Sequence, residues 1–168
     1  YGLDYIRSLI DAGNTEKVIE ICNELLVYEK YNTIVLRSLG DAYLNLYKED
    51  DALNIYMDLA KVDPTDSDVA IDISKILINK EEFKEALNWA EKAISISGKQ
   101  GETIYQRAEV YFAIAESCSS DPITFWDKVV YEISWEDYKT ASNKGYSQAK
   151  SRRDFVGDNL ITTSSDWF

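Results

Sequence analysis

The sequence predicts an all-α fold, an α-solenoid of stacked antiparallel helix hairpins closed by a C-terminal capping helix. Three observations predict it. Apolar residues recur at helical spacings of three and four through most of the 168 residues. The size pattern of those residues repeats every 34 positions: Leu36, Leu39, Gly40, Tyr43, Ala52, Tyr56, Leu59 and Pro64 map onto Ala70, Ile73, Ser74, Leu77, Ala86, Ala90, Ala93 and Gly98. Only two prolines and seven glycines interrupt the chain, which suits long helices and disfavours a many-turned β protein.

The first unit, about 1–32, carries the pattern weakly, through Tyr5, Ile6, Leu9, Val18, Cys22 and Leu25. Its turn reads at Asp11-Ala12-Gly13-Asn14, as those of the next two units read at Lys48 to Asp51 and Asn79 to Glu82. The second unit, about 33–66, is the clearest, and Asp63-Pro64-Thr65-Asp66-Ser67 both ends it and supplies cap residues for its successor. The third occupies about 67–100. Acidic residues gather at the starts of the second helices (Glu49 to Asp51, Glu81 and Glu82), where they complement the helix dipole. Gly40, Ser74 and Ala108 are small because two helices cross closely there, with Ala52 and Ala86 opposite and Val18 as a bulkier variant.

The fourth unit, about 101–145, starts in phase with Ile104, Ala108 and Tyr111, but its small–aromatic–small triplet arrives 14 residues late as Ser134, Tyr138 and Ala141. Both of its helices are therefore expected to be lengthened. The turn is read at Ser119 to Pro122, with Pro122 at the first helical position and a buried stripe of Trp126, Val130 and Ile133 leading into Ser134. A polar helix over about 146–161 caps the stack, and 162–168 forms a tail ending in Trp167-Phe168.

Leu36-x2-Leu39-Gly40-x2-Tyr43, then Ala52-x3-Tyr56 and Pro64, resembles the tetratricopeptide repeat, lacking only its opening tryptophan. Three units in phase carry the resemblance over about two-thirds of the chain. It implies one right-handed superhelical domain over 1–161, non-catalytic, whose first helices line a concave groove that grips peptide or protein segments. The implied groove residues are Arg7 and Asp11, with Leu3 and Ile10; Arg37, Asp41 and Asn45, with Ile34 and Leu44; Lys75 and Asn79, with Asp68, Ile71 and Ile78; and Tyr105, Glu109 and Phe112, with Glu102. Arg7, Arg37, Tyr105 and Phe112 are the expected anchors. Leu44, Ile71 and Ile78 equally fit a broad core stripe. The clamp of lysines, arginine and asparagines that the family uses for chaperone tails is missing; Asp11, Asp41, Asp68 and Glu109 stand in the groove instead. The run from Gly145-Tyr146 to Trp167-Phe168 resembles tails of bacterial members of this family.

Phe125, Tyr131 and Trp135 make the late helix apolar on a second face, either a partner surface or a seat for the first helix and the cap. Cys22 and Cys118 both fall on apolar stripes and are expected as small buried hydrophobes. With no histidine, the commonest general base and every His metal site are gone. Ser97-Gly98-Lys99-Gln100 lacks the other residues of a phosphate loop, and Asp63, Asp66 and Asp68 lack the glycine and glutamate of a calcium loop. No cofactor, metal or catalytic residue is expected.

The net charge of −12 opposes nucleic acid and anionic membranes and suits either a basic protein partner or plain solubility. No run is long enough for membrane insertion, and no signal-peptide profile opens the chain. Because it begins on Tyr1, the chain reads as an excised segment from which a leader or upstream repeats could have been lost, with the cytoplasm as the compartment slightly favoured. A homo-oligomer, or bridging within a larger protein, is the alternative function.

Overall fold

The structure, a computed structural model, describes residues 2–98 and 100–163. Among them the chain forms nine helices: α1 (Gly2–Asp11), α2 (Thr15–Tyr28), α3 (Thr33–Asn45), α4 (Glu49–Val62), α5 (Ser67–Asn79), α6 (Phe83–Ser97), α7 (Gly101–Cys118), α8 (Phe125–Asn143) and α9 (Ser147–Asn159). They divide into two compact units, 1–69 and 70–168, with the boundary in the first turn of α5.

The repeat is visible in the backbone before it is visible in the packing. Gly13, Tyr47 and Glu81 stand one period apart, and each adopts a left-handed conformation, at φ 70°, 57° and 59°. In each case the next N–H turns back to the carbonyl five residues earlier: Asn14 to Leu9, Lys48 to Tyr43 and Glu82 to Leu77, all at 2.9 Å. This is the six-to-one closure that satisfies the last carbonyls of a helix. Glycine makes the turn without cost only at Gly13; Tyr47 and Glu81 make it against the preference of an L-residue. Both side chains are exposed, Tyr47 at 93%, so nothing in the packing depends on them. Tyr47→Gly and Glu81→Gly are each expected to raise unfolding stability, by up to about 1 kcal/mol, and Gly13→Ala to lower it comparably. Urea denaturation of the three variants measures this.

Side-chain caps mark the starts of α2, α3, α5 and α8. The Asn14 side chain accepts from Lys17 N–H, and Asn32 accepts from Ile34 and Val35 N–H, both at 3.1 Å. The Asp66 carboxylate accepts from Asp68 and Val69 N–H at 2.9 and 3.2 Å. Glu49, Asp50 and Asp51 lie in the first turn of α4 as expected, whereas Glu81 and Glu82 stand just ahead of α6.

Within unit 1, α1, α2 and α3 bury Ile6, Leu9, Val18, Cys22, Val35, Leu39 and Ala42 together. Gly40 admits the buried ring of Tyr56 from α4: a Cβ on Gly40 would lie 2.9 Å from two ring carbons. Within unit 2 the site equivalent to Gly40 is Ser74, fully buried, whose hydroxyl donates to Ala86 O at 2.9 Å and accepts from the buried Gln106 amide at 3.1 Å. Arg107 ties three helices, forking onto Asp137 at 2.7 and 2.8 Å and reaching Glu91 at 2.8 Å.

The late triplet does lengthen the fourth hairpin, since α7 has 18 residues and α8 has 19 against 13 to 15 in α3 to α6. Its details correct three expectations. Pro122 does not open α8; it lies in the connection, and Thr124 caps the helix through a reciprocal capping box with Asp127. Trp126, Val130 and Ile133 are not a buried stripe, since Trp126 is 73% exposed and the other two face solvent beside it. Cys22 is buried, but Cys118, at the final position of α7, is exposed. After α9 the chain returns to α8, where Thr162 donates to Glu132 through both its N–H and its hydroxyl. The expected role of Trp167-Phe168 lies outside the described residues. No described helix is long and apolar enough to cross a membrane.

Candidate functional site

In unit 1 the exposed face of the first helices carries two hollows that meet at Ser38 and Asp41. One, of about 260 Å³, is framed by Ile10 of α1, the α1–α2 turn, Val18, and Asp41, Ala42 and Asn45 of α3. The other, of about 210 Å³, is framed by Ile34, Arg37 and Asp41 of α3 with Leu59, Asp63 and Asp66. The floor is apolar and the rim carries carboxylates. Two side chains of this rim are held in place: Tyr56 donates its hydroxyl to Asp41, and Arg37 pairs with Asp66 at 2.8 Å. Arg37 is thus tied to the residue that caps α5 and is not a free anchor. Arg7 and Asp11 are exposed on α1 but frame neither hollow.

Burial works against ionisation of Asp66, but Arg37 and the two capping N–H groups outweigh it and hold the carboxyl below its usual 3.8. Its folded-state pKa therefore lies below its unfolded one. The stabilisation is complete above the unfolded value and is lost as pH falls through the folded one. The stability difference between wild type and Asp66→Asn is expected to be full at neutral pH and to close below about pH 3.8, as read by acid-dependent urea denaturation.

In unit 2 a hollow of about 300 Å³ is framed by Lys75, Ile78 and Asn79 of α5, Tyr105, Gln106 and Glu109 of α7, and Gln148 of α9. Lys75 pairs with Asp72 at 3.1 Å. Glu109 accepts the Tyr138 hydroxyl at 2.8 Å and Arg152 Nη2 at 3.0 Å. Tyr105 is half-buried, its ring centroid 5.6 Å from that of Tyr138 and 5.1 Å from that of Tyr146. Burial, reinforced by Glu109 and opposed by Arg152, pushes its hydroxyl up to about 12.

The structure thus brings Asp41, Asn45 and Arg37 to the hollows of unit 1, and Lys75, Asn79, Tyr105 and Glu109 to the hollow of unit 2. Phe112 it removes. That ring is only 5% exposed, packed against Tyr131 at 5.5 Å and covered by the Arg152 guanidinium at 5.0 Å. The helix face is the one expected from its spacing, but α9 lies over it. Ile71 also belongs to the core, while Leu44 and Ile78 are half-buried.

Of the two readings of the Phe125, Tyr131 and Trp135 face, Tyr131 and Trp135 fit the seat for the first helix and the cap. Tyr131 is 3% exposed, and Trp135 is half-buried over Gly157, whose missing Cβ would lie 2.8 Å from the indole nitrogen. Phe125 is half-buried with its ring edge-on to Trp126 at 5.2 Å. The apolar face of α8 open to solvent is Trp126, Val130 and Ile133. Stepping back from Tyr138 by three and seven residues reaches Trp135 and Tyr131, and that spacing is the signal for the buried face.

Ser38, Asp63, Asp66, Gln106 and Gln148 also frame the hollows, and the sequence reading assigns none of them to the groove. Ser38 stands one turn from both Ile34 and Asp41, so helical spacing alone could have found it; Gln148, on the capping helix, has no such signal. Among the described residues no cluster of three or more His, Cys, Asp or Glu is placed to hold a metal ion.

No family model matches the chain. Over 61 residues, 36% of this chain, it is 36% identical to tetratricopeptide repeat protein 21B of Xenopus laevis, of which it spans only 5%. Among solved structures, the crystal structure of YrrB, described as a TPR protein with an unusual peptide-binding site, superposes with a TM-score of 0.68. The match covers 92% of this chain and 74% of that one at 11% identity. The chain has the tetratricopeptide-repeat fold. A crystal structure of MamA superposes with a TM-score of 0.73 at 16% identity, over 91% of this chain and 84% of its own. In tetratricopeptide terms α1, α3, α5 and α7 are the first helices of their hairpins, and these helices supply most of the residues framing the three hollows.

Proposed function

We propose that the chain is a non-catalytic binding module whose first-helix faces hold a segment of a partner polypeptide. The observation that carries this reading is the lining of the hollows: in each unit, consecutive first helices present side chains at the same repeat positions (Ile10, Ser38 and Asp41; Ile78, Gln106 and Glu109) to an open depression, set around apolar residues in unit 1 and around Ile78 and Tyr105 among polar side chains in unit 2. Exposed apolar side chains in a shaped depression favour a macromolecular ligand. Asp11, Asp41, Asp63 and Asp66 outnumber Arg7 and Arg37 on the unit 1 face, so the segment carries basic side chains beside apolar ones. The peptide-binding site named for YrrB supports the class of ligand. Carboxylates that could serve an enzyme are engaged structurally instead: Asp41 with Tyr56, Glu109 with Arg152, and Asp137 with Arg107.

The test is a titration of basic–apolar and acidic–apolar peptides by fluorescence anisotropy against wild type and an Ile10→Lys/Asn45→Lys variant. Both positions are exposed, so the fold is retained. The basic peptides are expected to bind wild type and to lose tenfold or more on the variant. Equal binding to the two proteins contradicts the reading.

A second reading, self-assembly, draws on Trp126, Val130 and Ile133 of α8, an exposed stripe at helical spacing. It predicts a concentration-dependent mass in light scattering that Trp126→Ser/Ile133→Ser abolishes.

A further inference from the structure

A fourth hollow lies away from the first-helix rims, among the end of α2, the start of α3 and the end of α4, all within unit 1. Its volume is about 390 Å³, at the small end of the range that ligand pockets occupy. Leu26, Leu36, Ile55 and Val62 form its floor, and Lys30 and Lys61 stand on its rim. Lys30 also approaches the ring of Tyr31, at 5.6 Å from the centroid, while Lys61 pairs with Asp58 at 2.8 Å. Beside it Val27, Tyr28 and Tyr31 are exposed, the first two at 78% and 87%.

The local charge is opposite to that of the chain. In a protein with 30 acidic and 18 basic residues, two ammonium groups here face one carboxylate. The first-helix hollow around Asp41 shows the reverse, with three carboxylates against one guanidinium. An apolar depression supplies burial, and the sign of its rim decides which partner approaches.

We propose that this hollow is a second binding site, for an acidic amphipathic segment of a polypeptide. An apolar side chain of that segment enters over Leu26, Ile55 and Val62, and a neighbouring carboxylate meets Lys30 and Lys61. Exposed Tyr28 and Tyr31 extend the contact, as aromatic side chains do at the centres of interfaces. The site is independent of the first-helix face and takes ligands of the opposite charge, so one unit carries two partners without competition.

The experiment uses two labelled peptides of one pattern, one built from Glu and Leu and one from Lys and Leu, with backbone-amide NMR mapping on the whole chain. The Glu–Leu peptide is expected to shift the amides of Leu26, Lys30, Tyr31, Leu36 and Val62. Its affinity should fall tenfold or more in Lys30→Glu/Lys61→Glu, fall also in Tyr31→Ala, and weaken with added salt. All three side chains are exposed, so the variants keep their melting temperature. Absence of binding, equal binding to the charge-reversed protein, shifts confined to α1 and the Asp41 face, or the same amides answering to decanoate and not to the peptide would each overturn the proposal. Binding of the Lys–Leu peptide at the Asp41 face bears only on the first-helix reading, so the two fail separately.

Discussion

Replacing Tyr138 by alanine is expected to cost about 3–5 kcal/mol, the range for removing a buried aromatic side chain from a core. The ring is fully buried and sits among Tyr105, Phe112 and the helices of the lengthened hairpin. Its hydroxyl also donates to Glu109, a half-buried carboxylate that accepts from Arg152 as well. The substitution leaves a cavity and takes one donor from a charge at the same time. Tyr138→Phe separates the two effects: it keeps the ring and removes only the charge-assisted bond, for about 1–3 kcal/mol. At this chain length, about 2–4 °C of melting temperature accompanies each kcal/mol, so the alanine variant should melt roughly 10 °C early. Calorimetry of the two variants gives both numbers. A loss under about 1 kcal/mol for Tyr138→Ala would mean that α8 is not seated on α7 as described.

The second large effect follows from the way each hairpin matches two residues in size. Gly40 faces Tyr56 in one hairpin, and the repeat places Ser74 and Ala90 at the same two positions of the next. A side chain at 40 meets a buried ring anchored to Asp41, so Gly40→Ser overpacks a site that cannot give, at about 1–3 kcal/mol. Ala90→Tyr introduces the same conflict from the other side, above a Ser74 already bonded to Ala86 and Gln106. In the combination Gly40→Ser/Tyr56→Ala the clash has gone, although the aromatic burial is lost as well. The double-mutant cycle should therefore show a favourable coupling of about 1 kcal/mol or more. Additive losses would contradict the matching.

These packing rules explain what the sequence made legible. Small and large residues at fixed period are the direct record of helix crossings, so the hairpins, their order and the lengthening of α7 and α8 could be read from Gly40, Ser74, Ala108 and the late Tyr138. The turns were less legible: at Tyr47 and Glu81 the closing hydrogen bond, not the residue type, selects the left-handed backbone, and only Gly13 advertises it. The start of α8 was misread from Pro122, although Thr124 and Asp127 carried the capping-box spacing. The exposed face of α8 was not legible because that helix is apolar on two sides, and periodicity alone cannot say which side α9 covers. Phe112 was lost to the site for the same reason. On the first-helix faces of α1, α3 and α5, by contrast, Ile10, Asp41, Asn45, Lys75 and Asn79 do frame hollows, because ordinary hairpin geometry holds there. Paired side chains such as Arg37 with Asp66 come from elements far apart in sequence, and no local pattern records them.

The central claim is that a partner polypeptide lies on the first-helix faces. Site-specific photo-crosslinking tests it most directly, with a benzophenone amino acid placed in turn at Asn45 and Asn79 on those faces and at Asn54 and Lys84 on exposed positions of α4 and α6. The account predicts that a bound basic–apolar peptide is captured from Asn45 and Asn79 and not from Asn54 or Lys84. Capture from Asn54 or Lys84 alone would contradict it.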